Sequence, residues 1–182
     1  MHRYVGVAAY SGPPPQHLIA AAEEFLQALA LCVNPSNTVI VTGGYWGLMK
    51  HVVDYSLSLG FKVLIIPPVE MEDVAFPGKA LVVRTGTSFR VRSIYLVRTS
   101  EVLVALGGAG GTIQEVVTAY TEGVPAYVLG ATGMPTDKLS SLAPHIDERR
   151  RAEVRIVKEP SALATAVCSH LKAGKPRAWR TS

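Results

Sequence analysis

Gly107, Gly108, Ala109, Gly110, Gly111 and Thr112, with Glu115 three residues further on, are the residues whose types and spacing point most directly to chemistry. Glycine permits close backbone approach and positive φ. The apolar run 102–105 before them reads as a buried strand, and 112–121 after them as a helix. The loop therefore opens onto a helix N-terminus, with unpaired N–H groups and the positive end of the helix dipole. Such a turn takes phosphate or another anion. A carboxylate does not bind phosphate, so Glu115 either caps the helix or acts on another part of the ligand. Beside a ribose anomeric carbon it would activate water or stabilise oxocarbenium-like charge. Thr112-Ile113-Gln114-Glu115 also spells a capping box, in which both side chains are structural. Both readings stand at this point. The loop lacks the Lys-Ser/Thr pair of a Walker A motif and does not fit G-x-G-x-x-G in any register. A mononucleotide or sugar phosphate fits it better than a dinucleotide.

Two other glycine-bearing loops follow apolar runs: Ser11-Gly12, and Gly43-Gly44 with Tyr45 and Trp46 beside them. The two aromatic rings would stack on a planar group, line a pocket wall or pack over the end of a sheet. Arg84, Arg90, Arg92 and Arg98 precede the strand that leads into the first loop. A guanidinium grips phosphate with a bidentate fork. Hydroxyls at Thr85, Thr87 and Ser88 enter the same region. His2, His17, His51, His145 and His170 show no metal-ligand spacing, and there is no G-x-S-x-G elbow. Metal catalysis and a serine nucleophile are not expected, and no metal site is assigned.

Strand patterns at 4–9, 38–41, 62–66, 80–84, 102–105, 126–129 and 154–157 alternate with helical patterns at 16–32, 47–59, 88–99, 112–121, 136–142 and 161–171. Proline fits a helix's first turn, so Pro13, Pro14 and Pro15 lead into the first helix. The segment 69–79 reads as a loop carrying Glu70, Glu72 and Asp73. β-α alternation predicts an α/β fold: a single Rossmann-like domain over 1–171, with a mostly parallel central sheet and helices on both faces. Residues 172–182 read as a basic tail. A Rossmann-like strand order would bring the three glycine loops to one sheet edge, where such sheets bind ligands.

The composition suits this fold. Of 182 residues 48% are hydrophobic, enough for a doubly covered sheet and a subunit interface, yet no apolar run reaches the ~18 residues of a membrane span. The first residues read as a strand, not a signal peptide. Cys32 and Cys168 are too few for a disulfide framework; they read as core residues of helices, in a cytoplasmic protein. The net charge of +4 comes from arginines clustered at 149–151 and in the tail, read as solvated surface and a frayed end. Nucleic acid and membrane are not expected partners. Asparagine occurs only at Asn34 and Asn37, a hint of a thermostable source.

Gly43-Gly44-x-x-Gly47-Leu48-Met49, then Arg92, then the glycine loop closing on Gly111-Thr112-x-x-Glu115, resembles the LOG superfamily. That group holds the LONELY GUY cytokinin-activating phosphoribohydrolases, proteins labelled lysine decarboxylases, and the molybdenum-cofactor carrier proteins. The resemblance runs over about 4–171, and the stretch from Thr85-Gly86 to Val102 looks closer to the carrier branch. It implies a homodimer or higher homo-oligomer and no required cofactor. It implies phosphate binding by Gly108, Ala109, Gly110, Gly111 and Thr112, with Ser11, Gly12, Gly43 and Gly44 beside the ligand. It implies that Arg92 and Glu115 act at the N-glycosidic bond of a nucleoside 5′-monophosphate. In the carrier branch the same cleft holds a larger phosphorylated cofactor, such as a pterin, and no reaction occurs. The sequence departs from the phosphohydrolase pattern P-G-G-x-G-T at Gly107 and Ala109, and also at Lys50, Ser93 and Gln114. A lysine decarboxylase would need a Schiff-base lysine and a partner for the pyridine nitrogen, and nothing marks Lys50 for that role.

Overall fold

Seven strands pair in parallel in the order β4-β3-β2-β1-β5-β6-β7, in a computed structural model that describes residues 2–174. They are β1 (Arg3–Ala8), β2 (Thr38–Thr42), β3 (Lys62–Ile65), β4 (Leu81–Val82), β5 (Val102–Ala105), β6 (Ala126–Leu129) and β7 (Val154–Val157). The helices are α1 (Gln16–Cys32), α2 (Gly47–Ser58), α3 (Phe89–Thr99), α4 (Gly110–Thr121) and α5 (Pro160–Ala173). The expected α/β class, single Rossmann-like sheet and layering are all present, and the sheet is parallel throughout.

The strands alternate faces, and the two faces carry separate cores. Val5, Val7, Ile40, Val63, Val102 and Val104 pack under α1, α2 and α5. Ala8, Val39, Val41, Leu103 and Ala105 pack under α3 and α4. Both faces are covered, which is why the strands read as nearly continuous apolar runs. Helix α1 buries Leu18, Ala22, Phe25, Leu26 and Leu29, an apolar stripe at helical spacing.

The structure corrects several local expectations. β4 holds two residues, not the five of 80–84. It is an edge strand with only β3 to pair with, and one further bond, Val83 N–H to Ile65 carbonyl at 2.9 Å, ends the ladder. Residues Pro135–Leu142 wind as a 3-10 helix, and a second 3-10 turn, Val69–Met71, lies inside the expected loop. Helix α4 starts at Gly110, two residues early. Helix α5 runs past 171 to Ala173, where Gly174 caps it with φ 60°; residues 175–182 of the expected tail lie outside the described residues. Arg149, Arg150 and Arg151 are exposed. Among the described residues no helix is long and apolar enough to cross a membrane.

The reading of Cys32 and Cys168 as unpaired core residues also gives way. They form a disulfide between α1 and α5, with Cα atoms 6.2 Å apart. Their separation of 136 residues hides the pairing from any spacing rule; it follows from two terminal helices packing side by side on one face. A bridge closing so long a loop stabilises by roughly 2–5 kcal/mol. Mass spectrometry of unreduced peptides should find Cys32 linked to Cys168. Dithiothreitol should lower Tm in the wild type but not in Cys32→Ser/Cys168→Ser; quantitative alkylation of both thiols without reductant would refute the bridge.

Candidate functional site

The chain reverses its direction of travel across the sheet between β1 and β5. After β1 it winds outward through β2, β3 and β4; after β5 it winds the other way through β6 and β7. The crevice beyond the carboxyl ends at such a switch point is where open parallel sheets hold ligands. A cleft of about 420 Å³ lies there. Ala9 and Ser11 follow β1, Trp46 and Met49 follow β2, and Glu70 follows β3. Ala109, Gly111, Thr112, Gln114 and Glu115 follow β5, and Ser88, Phe89, Arg90, Arg92 and Ser93 come from the start of α3. The three glycine loops thus meet at one edge.

The floor of the cleft is a buried ion pair. Arg92 Nη1 donates to Glu115 Oε1 at 2.8 Å, with both side chains less than 10% exposed. Ser93 Oγ lies 2.9 Å from the same Oε1 and 3.1 Å from the Phe89 carbonyl; its single proton favours the charged acceptor. Both bonds fall on Oε1, and Oε2 takes neither. Burial pushes the Glu115 carboxyl above its ordinary range, while the Arg92 charge and the Ser93 and Arg92 hydrogen bonds pull it back only in part. Arg92 Nε is buried and has no hydrogen-bond partner among the described residues.

The glycines of the second loop make room for this pair. A Cβ on Gly43 would run into the Arg92 guanidinium, and one on Gly44 into the Trp46 ring. Trp46 lines the cleft with its ring edge-on to Phe89, centroids 6.2 Å apart. Tyr45 does not: its hydroxyl donates to Asp54 at 2.7 Å, and its ring packs near Phe76.

The loop after β5 divides by role. Gly108 N–H donates to Thr136 Oγ1, and its carbonyl accepts from Thr136 N–H, each at 3.1 Å. Gly108 is thereby committed to anchoring the loop, and a Cβ there would also strike the Thr112 hydroxyl. Ala109 is the N-cap of α4 and provides no side-chain cap. Thr112 therefore lies inside the first turn, Glu115 accepts from α3, and the capping-box reading fails. The first-turn N–H groups of Gly110, Gly111 and Thr112 have no partner within the helix. Gly110, Gly12, Gly43 and Gly44 do not line the cleft themselves; the last two shape it through Arg92 and Trp46.

Sequence reasoning missed Glu70, Phe89 and Ser93 as lining residues. Phe89 and Ser93 lie on the helix that carries Arg92, and one turn separates Phe89 from Ser93, so the arginine's own helical neighbours were the available signal. Glu70 gave none, because its loop is placed by tertiary contacts. Among the described residues no three His, Cys, Asp or Glu side chains gather as a metal-holding group. Gly43→Ala should displace Arg92 and leave Glu115 without its counter-ion, a loss of about 3–5 kcal/mol for a broken buried pair. Chemical denaturation checks this, and a midpoint shift equivalent to less than about 1 kcal/mol would mean that Arg92 does not lie against Gly43.

The comparisons agree with this architecture. The crystal structure of a protein designated TM1055 superimposes with a TM-score of 0.79 at 29% identity, covering 92% of this chain and 98% of that one. The molybdenum cofactor binding protein of the phototrophic bacterium Rippkaea orientalis gives 0.73 at 20% identity, with 94% and 98% covered. The molybdenum cofactor carrier protein of Chlamydomonas reinhardtii gives 0.75 at 20%, with 94% and 99% covered. No curated protein sequence matches the chain. The family model of the SLOG cluster4 family matches residues 3–164, from β1 into α5, and so takes in every element that builds the cleft. The chain belongs to the SLOG cluster4 family, a LOG-like group.

Proposed function

We propose that the cleft binds a nucleoside 5′-monophosphate or a related phosphorylated ligand, and that the Arg92–Glu115 pair hydrolyses the N-glycosidic bond of the monophosphate. The phosphate rests on the first-turn N–H groups of Gly111 and Thr112 and on the Thr112 hydroxyl, with Ala109 and Ser11 at the wall and Gly108 anchoring the loop. The observation that carries the reading is the floor: a carboxylate whose Oε1 is fixed by Arg92 and Ser93 while Oε2 takes neither bond. Oε2 accepts a proton from water as the water oxygen bonds to C1′. The C1′–N bond breaks, its electron pair stays on the base nitrogen, and the base leaves protonated by solvent. The products are free base and ribose 5-phosphate. The Arg92 guanidinium, on the cleft floor, stabilises negative charge that develops on the ligand.

A second reading keeps the cleft and drops the reaction. The likeness to a molybdenum cofactor binding protein and a molybdenum cofactor carrier protein supports a carrier of a phosphorylated cofactor, in which the Arg92–Glu115 pair only shapes the floor. Neither reading requires a resident cofactor.

Self-association belongs to the same proposal. Val91, Ile94 and Tyr95 form an exposed apolar face on α3, each at least 40% exposed, on the side of the helix away from Phe89, Arg92 and Ser93. A second copy covering this face would make a homodimer joined through α3.

Two experiments test these statements. Incubation with AMP, GMP, CMP and UMP should release free base, and Glu115→Ala should cut the rate by ~10²-fold or more. Because Glu115 must be ionised to act as base and its carboxyl is raised, the wild-type rate should climb with pH through a value above the ordinary carboxylate range. Glu115→Gln should abolish that limb. No release from any monophosphate, with one of them still raising Tm, would refute hydrolysis and leave the carrier. Sedimentation should show a dimer that Ile94→Asp turns into a folded monomer; an unchanged sedimentation coefficient would place the interface elsewhere.

A further inference from the structure

The loops lie along the sheet edge in strand order. Glu70 follows β3, Trp46 follows β2, Ser11 follows β1 and the glycine loop follows β5. At about 4.8 Å per strand, Glu70's loop is roughly 14 Å from the glycine loop, three strands away. That is about the reach of a nucleoside monophosphate from its phosphate to the far edge of its base. With the phosphate at α4 and the sugar over Arg92 and Glu115, the ring of the ligand falls at the Glu70 end.

That end is built from an aromatic pair and a carboxylate. Trp46 and Phe89 supply the flat apolar walls. The loop that carries Glu70 is held from several sides. Pro67 and Pro68 are buried, Ile66 N–H donates to the Thr42 carbonyl at 2.9 Å, and Val69 N–H donates to the Thr87 carbonyl at 2.8 Å. Glu72, two residues on, is consumed by the loop: its carboxylate accepts from Gly86 N–H at 2.8 Å and its carbonyl from Arg84 Nε at 3.1 Å. Glu70 is different: it lines the cleft, and its carboxylate has neither hydrogen bond nor ion pair to a described residue. Ser88, beside it on the cleft wall, is the N-cap residue of α3 yet spends no side-chain bond on the cap.

We infer that Glu70 is the specificity-determining residue of this cleft and selects a 2-amino-4-oxopyrimidine ring, the edge shared by guanine and the pterins. A carboxylate only accepts hydrogen bonds, so it is matched by two adjacent N–H donors: N1–H and the 2-amino group of guanine, or N3–H and the 2-amino group of a pterin. The neighbouring ring carbonyl then accepts from the Ser88 hydroxyl. Adenine turns an acceptor nitrogen toward Glu70 and is repelled. Hypoxanthine offers one donor of the two. The inference rests on the binding mode above but not on hydrolysis, because ring selection serves enzyme and carrier alike.

Titration calorimetry tests it with GMP, IMP, AMP, neopterin monophosphate and ribose 5-phosphate, on the wild type, Glu70→Ala and Glu70→Gln. The wild type should bind GMP or neopterin monophosphate at least ~10-fold more tightly than AMP, with IMP between them. Whichever of the first two binds more tightly identifies the source of the ring. Both variants should bring that ratio close to one while leaving ribose 5-phosphate affinity within ~2-fold. Wild-type affinities for both GMP and neopterin monophosphate no tighter than for AMP, or a preference that survives in both variants, would overturn the role of Glu70 and leave the phosphate and sugar placement intact. Failure of every compound to bind, ribose 5-phosphate included, would overturn the placement and the inference together.

Discussion

The cleft depends on one buried ion pair. Arg92 and Glu115 come from different helices, α3 and α4, and meet at the switch point of the sheet, where both are almost wholly removed from water. Neither charge is tolerable there alone, since desolvating an ion costs several kcal/mol and only a close partner offsets it. The pair thus ties α3 to α4 at the end that faces the ligand. Nearby features follow from it: a glycine at 43 so that the guanidinium can pass, a serine at 93 to share Oε1, and a carboxyl held above its ordinary range.

The glycine loop is a second constraint, and it is anchored differently. Thr136, in the 3-10 segment beyond β6, closes a reciprocal pair of hydrogen bonds on Gly108. That fixes where α4 begins and so where its first-turn N–H groups sit. Asp137 helps hold the same segment, accepting from Thr132 N–H at 3.1 Å and Gly133 N–H at 2.8 Å. The N-terminus of α4 is thus positioned by residues more than twenty positions downstream that do not line the cleft. A fixed loop matters because preorganised donors bind without the cost of ordering them.

Most of the architecture was legible in the residues. Nearly continuous apolar runs separated by helical stripes lead to a parallel sheet, and the right-handed crossover rule then brings loops after β1, β2 and β5 together. Glu115 stood out because a carboxylate beside a glycine turn needs a reason, whereas Arg92 was one of four arginines and was singled out only by the resemblance to the LOG superfamily. What was hidden was set by distance in the chain. The Cys32–Cys168 bridge spans 136 residues, and β4 pairs with β3 over only two residues before Val83 ends the ladder. Gly108 looked like a phosphate donor until Thr136 was found on it. Glu70 lay in a loop with no periodicity at all, and tertiary contacts, among them the bonds from Ile66 and Val69, bring it to the cleft.

The central claim is that phosphate, sugar and ring lie in that order along the sheet edge from β5 to β3. A crystal structure with a bound nucleoside monophosphate tests this most directly. The account predicts the phosphate on the N–H groups of Gly111 and Thr112, with the sugar against Arg92 and Glu115 Oε2. A phosphate held instead by Arg84 or Arg90, with the ligand away from the α4 N-terminus, would contradict it.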